Sequence, residues 1–223
     1  MTLFTIIFSF IPALVLAIGV HEFGHAFSAY LLGDPTPKEQ GRVSLNPIVH
    51  LDPMGIMLPF FLALSGIPMM FGWGKPVLIQ YANLKKPIRD EALIAVAGPL
   101  MNILMCVVMA LLWKPVYEYF WYGTIFGFSV ASPAMDSFIQ WASNFIKTCL
   151  NINVGLFLFN LLPIPPLDGS KILFNLFGKM GKAIFFKIEP FGFFILIFVL
   201  FSRVLNTVLY PPYLMLMNLF IKI

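Results

Sequence analysis

Charge is what this sequence has least of. Of 223 residues, 14 are basic and 10 are acidic, so charged side chains make up 11% of the chain. A soluble domain carries about 25%. Cysteine is also scarce. Cys106 and Cys149 both lie in apolar runs, too few for a disulfide scaffold, and nothing requires them to pair. No block of like charge, no internal repeat and no low-complexity tract is present. The formal net charge of +4 is scattered between apolar runs, as in membrane loops, and does not mark a nucleic-acid binder.

What fills the chain is apolar surface. Hydrophobic residues make up 60% before glycine is counted. A soluble globule of this size has too little interior to hide them. An ordinary cytoplasmic enzyme, a secreted disulfide scaffold and a disordered chain are therefore excluded. The composition predicts an all-α polytopic membrane protein, one domain over residues 1–223. The first 20 residues are apolar but lack a basic leader, and read as part of the mature helix.

The apolar runs set the expected topology. Runs at 2–32, 91–113, 136–162 and 191–209 are long enough to cross about 30 Å of hydrocarbon. Pro12 is a candidate kink. The run at 54–73 contains Pro59, Gly66, Pro68 and Gly72, a poor composition for a simple crossing, so it is expected to be re-entrant or broken. Residues 72–79 are expected to form a small membrane-associated β hairpin element. Residues 114–135 are aromatic and interfacial, and 169–190 read as a short basic interfacial segment. The range is four to six crossings, depending on 54–73 and 117–132. With four, the loops rich in lysine and arginine gather on one face. That face is then cytoplasmic and the N-terminus outside.

One local pattern carries chemistry. In His21-Glu22-Phe23-Gly24-His25 the two imidazoles are four residues apart, on one face of a helix, where both reach one ion. Glu22, about 100° around the helix, is placed to act as a general base on a water molecule. A hydrolytic zinc centre needs a third protein ligand. Asp168, in Leu167-Asp168-Gly169 after two prolines, is the best candidate, and its alternative role is to cap the start of a helix. His50 and Asp52 also carry metal-binding groups. Together with Asn46 they read better as residues at the mouth of the groove.

Three motifs in order now resemble a known family. They are His21 to His25, then Ala97-Gly98-Pro99-Leu100-Met101-Asn102, and then Asn160-Leu161-Leu162-Pro163-Ile164-Pro165-Pro166-Leu167-Asp168-Gly169. The segments 41–53 and 71–77 fit as well. The chain resembles the site-2 protease type of intramembrane zinc metallopeptidases (family M50), in the compact bacterial and archaeal form without a PDZ or CBS domain. The resemblance covers about residues 15–175. It implies one Zn2+ held by His21, His25 and Asp168, with Glu22 as the base, and a catalytic core over about 2–175. It implies that Asn160 hydrogen-bonds the substrate backbone. Gly72, Trp73 and Gly74 are expected to receive an unwound substrate as an added strand. The partners implied are a transmembrane protein or peptide substrate and the lipid bilayer of a bacterial or archaeal cell. The rival functions are a metal transporter and a catalytically silent membrane scaffold. The first lacks a polar path through 191–209, and the second should have lost a ligand or the base.

Overall fold

A computed structural model of the chain describes residues 3–65, 72–126, 133–202 and 204–222. The first helix, α1, runs over Leu3–Leu31. Pro12 has no N–H to offer the carbonyl of Phe8. The helix responds by loosening into a π-helical stretch over Ile6–Phe10. The Trp141 indole, from a distant helix, donates to Phe8 O at 3.2 Å. The expected kink is thus a local unwinding held by a side-chain hydrogen bond.

Beyond α1 the chain turns at Gly33, whose φ of +109° is one that side chains other than glycine rarely adopt. Asp34 then fastens the turn to residues 80–83. Its carboxylate accepts from Thr36 N and Oγ1, from Gln80 N and from Asn83 Nδ2. Burial pushes its pKa up, but the hydrogen bonds from Asn83, Thr36 and Gln80 outweigh it and hold the carboxyl below its ordinary value.

Helix α2 spans Pro53–Leu64. Its 12 residues rise only about 18 Å, short of the roughly 30 Å of hydrocarbon. The rest of that apolar run, residues 66–71, lies outside the described residues. Further on, Leu51 and Gly74 make a single antiparallel bridge, and Lys75 N donates to His50 O at 2.8 Å. Among the described residues this bridge is all the β structure there is. Residues 75–80 continue without regular secondary structure.

Helix α3 spans Pro87–Phe126 and α4 spans Pro133–Asn160. The helical path of α3 therefore continues well past residue 113. Forty residues rise about 60 Å, twice the hydrocarbon thickness. Helix α5, Asp168–Leu176, is short, and Gly178 with φ +59° turns the chain into α6, Gly178–Phe201. Helix α7 is Val204–Lys222. The apolar run 191–209 is consequently not one helix, because the chain turns extended at Ser202. Its helix begins earlier than hydropathy indicated. Lys182, which made the segment look interfacial, is neutralised by Glu91 at 2.9 Å.

Among the described residues three stretches are long and apolar enough to cross a membrane: Leu3–Leu31, Pro87–Val116 and Gly178–Leu200. Helix α4 is long enough but more polar. It packs against α1, α3 and α7 and buries Ser143 and Asn153 there, while Asp136, Gln140, Asn144 and Lys147 are exposed. The core lies where these helices meet, with Phe10 and Leu14 of α1, Cys106 and Trp113 of α3 and Leu150 of α4 among its buried members. Both cysteines are free and buried. The outer face of α6 exposes Phe194 and Phe198 at 70% and 75%, surface that water would penalise and lipid would not. The protein is an all-helical membrane protein.

Candidate metal centre

His21 and His25 stand near the C-terminal end of α1, one helical turn apart on the same face. Their rings meet edge to face, and the two Nε2 atoms are 3.1 Å apart. Asp168 reaches them from the first turn of α5, its Oδ2 3.2 Å from each Nε2. All three side chains are buried, and the three ligand atoms lie within 4.8 Å of one another. The sequence-predicted trio is thus brought together across about 140 residues of chain.

Helix α3 holds the rings from behind. His21 Nδ1 is 2.7 Å from Asn102 Oδ1, and His25 Nδ1 is 2.7 Å from the main-chain carbonyl of Ile94. Both partners are acceptors, so each Nδ1 carries the proton and donates. Each Nε2 is left with its lone pair in the neutral ring. Two lone pairs and a carboxylate then converge with no proton to share between the nitrogens. A divalent cation resolves that arrangement, and two imidazoles with one carboxylate suit zinc.

Close approach of α3 is a matter of small residues. A Cβ on Gly24 would lie 2.7 Å from Ala97 O, and one on Gly98 would lie 2.4 Å from His25 Nε2. Ile94, Gly98 and Asn102 are spaced four apart, so one face of α3 forms the cradle. This role was legible in principle, because an asparagine inside an apolar run at that spacing is a signal.

A cleft opens beside the trio. Glu22 lines it, as do Gly72, Trp73, Gly74 and Asn160. Asn160 Nδ2 donates to Leu156 O at 3.0 Å within its own helix. The cleft also holds residues not singled out from sequence. Tyr81 and Glu91 lie at its wall, with Lys182 bonded to Glu91 and 5.4 Å from the centre of the Tyr81 ring. Burial, and then the negative charge of Glu91, push the Tyr81 phenol above its ordinary value.

The three remaining candidates stand apart from the trio. Asn46 Oδ1 accepts from Ile48 N and starts the short turn Pro47–His50. Asp52 Oδ1 accepts from Met54 N and caps α2. His50 is fully buried; its Nε2 donates to Ser44 O, and its Nδ1 has no hydrogen-bond partner among the described residues. None of the three lines the cleft. They shape the loop that carries the Leu51–Gly74 bridge.

Comparison with known proteins agrees with this geometry. The description of peptidase family M50 matches residues 9–202. YwhC of Bacillus subtilis, which carries a provisional zinc metalloprotease name, is 32% identical over 198 residues. The match covers 89% of this chain and 82% of that relative. Rip2 of Mycolicibacterium smegmatis, similarly named, is 29% identical over 199 residues, 86% of this chain and 66% of its own. MJ0611 of Methanocaldococcus jannaschii, named in the same way, is 37% identical over 87 residues, 38% of this chain and 34% of its own. No solved structure matches the chain. The names imply a zinc cofactor, and the buried trio offers donors that fit it. With the family description spanning most of its length and three histidine and aspartate donors gathered in one buried cluster, the chain belongs to peptidase family M50.

Proposed function

We propose that this protein is an intramembrane zinc endopeptidase that hydrolyses peptide bonds in or beside the transmembrane segments of membrane-protein substrates. The observation that carries the reading is the convergence of His21, His25 and Asp168 beside Glu22 in a cleft within an apolar helical bundle. His21 and His25 through Nε2, and Asp168 through Oδ2, are the residues that would hold the ion. Zinc, when bound, supplies a Lewis acid that polarises a carbonyl and acidifies water to a pKa of about 7.

The chain's own residues do the rest. Glu22, half-buried on the cleft wall, takes a proton from the attacking water and passes it to the departing amine nitrogen. A substrate helix hides its amides in its own hydrogen bonds, so it has to unwind at the cut. The segment from Gly72 to Gln80, whose one β-bridge among the described residues is at Gly74, is the edge that would receive it. Asn160 commits its Nδ2 to Leu156 O, leaving Oδ1 to accept a substrate N–H.

The topology that fits has four crossings, by α1, the first 30 residues of α3, α4 and α6. Helix α2, too short to span, dips in and returns. The N-terminus then lies outside. The metal-binding residues, near the C-terminal end of α1, sit toward the cytoplasmic side with Lys38, Lys85 and Lys182. The decisive experiment is Glu22→Gln in proteoliposomes with a single-pass membrane-protein substrate. Zinc content should be unchanged and cleavage lost. Full cleavage by the variant would remove Glu22 from the mechanism.

A further inference from the structure

Two asparagines sit in the apolar interior with no exposure at all, Asn102 on α3 and Asn153 on α4. A buried amide is costly unless its hydrogen bonds are made. Here they are made, and in one direction. Asn153 Nδ2 donates to the main-chain carbonyl of Cys149 at 2.8 Å. Its Oδ1 accepts from Asn102 Nδ2 at 2.9 Å. Asn102 Nδ2 also donates to the carbonyl of Ala17 at 3.1 Å. Asn102 Oδ1 then accepts from His21 Nδ1 at 2.7 Å.

The two main-chain carbonyls decide the orientation of everything between them. A carbonyl only accepts, so Cys149 O and Ala17 O fix which end of each amide is nitrogen. Asn102 is left with its oxygen toward the ring, and His21 must place its proton on Nδ1. His25 needs no such arrangement, because its Nδ1 partner is itself a main-chain carbonyl that cannot turn over. Of the two rings, His21 is the one whose acceptor is a side-chain amide able to present either end.

We propose that Asn102 and Asn153 form a positioning relay that fixes the tautomer of His21 and aims its Nε2 at the metal. Asn102 acts on His21 directly, and Asn153 acts through Asn102. The relay ties α4 to α3 and α3 to α1, so the packing of α4 bears on the ligand. It rests on the zinc reading above. A partner that orients a metal-binding histidine typically contributes 10- to 100-fold to metal affinity.

The test uses the full-length protein in detergent, with zinc affinity measured by chelator competition and ring 15N–1H spectra recorded on the zinc-loaded protein. The chain has three histidines, so the spectra are simple to assign. Asn102→Leu should weaken zinc binding about 10- to 100-fold and shift the His21 Nδ1–H signal while leaving that of His25 in place. Asn153→Leu should do the same to a smaller degree. Asn153→Asp keeps the acceptor toward Asn102, and burial keeps the acid protonated to donate to Cys149 O, so it should bind zinc like the wild type. Folded Leu variants with affinity within about twofold of wild type would overturn the relay. So would a shift spread equally over His21 and His25, or a folded Asn153→Asp variant with the loss expected of Asn153→Leu. A wild-type protein that binds no zinc would instead sink the underlying function.

Discussion

Gly98→Ala tests the cradle by adding one methyl group. The new Cβ would lie 2.4 Å from His25 Nε2, 2.5 Å from His25 Cε1 and 2.9 Å from His21 Cε1. Non-bonded heavy atoms rest at about 3.5–4.0 Å, so the His25 ring has to retreat by about 1 Å. It cannot do so freely, because its Nδ1 is tied to Ile94 O on the same helix as the methyl. Two effects on stability oppose each other. Alanine is favoured over glycine inside a helix by about 1 kcal/mol, whereas overpacking costs about 1–3 kcal/mol. They leave a net loss small enough for the fold to survive. The metal is less forgiving, since ligands work within about 0.5 Å of their productive positions. Zinc affinity by chelator competition should fall about 10- to 100-fold, and cleavage of a membrane substrate by about 10²-fold. A folded Gly98→Ala protein with wild-type zinc affinity and cleavage would refute the argument, because the methyl would have found room that the geometry denies.

The other predictions concern the frame. Asp34 has a folded pKa below its ordinary value of 3.8, so its carboxylate contributes stability above about that pH and loses it as pH falls through the lowered value. Asn at position 34 (Asp34→Asn) should therefore destabilise the protein at neutral pH, with the gap to wild type closing in acid; thermal melts at several pH values read this, and a gap that widens in acid would contradict it. Trp141→Phe removes the donor to Phe8 O beside Pro12, and should lower stability by about 1 kcal/mol in a denaturant titration. An unchanged midpoint would mean that the π-helical stretch holds itself.

The histidine half of the candidate site was legible because it is local. His21 and His25 are four residues apart, and helical geometry alone puts them on one face. Asp168 was only a candidate on its residues, since a carboxylate after two prolines reads equally well as a cap, and the family motif raised it above that. The relay was harder to read. Asn102 and Asn153 are 51 positions apart on different helices, and their meaning depends on which carbonyls they face. Hydropathy likewise placed α1 well but misjudged the end of α6. A window average passes over the single turn at Ser202 and counts Lys182 as exposed charge, although Glu91 pairs with it. An extended hairpin element is expected at 72–79, and a strand needs a neighbour; among the described residues the Leu51–Gly74 bridge is the pairing found there.

The fate of the cleft carboxylates narrows the chemistry further. Three acids line the cleft: Glu22, Glu91 and Asp168. Asp168 faces both imidazoles through Oδ2 and is committed to the metal-binding cluster. Glu91 is bonded to Lys182 at 2.9 Å and is committed to that ion pair. Glu22 has no ion-pair partner among the described residues, and it follows His21 directly on α1, so its backbone position is fixed relative to a ligand. Gly74, the paired residue of the extended edge, approaches it from the other side; a Cβ there would come 3.0 Å from Glu22 Cγ. A side chain at position 74 would crowd Glu22, so under the proposed function it is Gly74 that would let a substrate backbone lie against the acid proposed as the base.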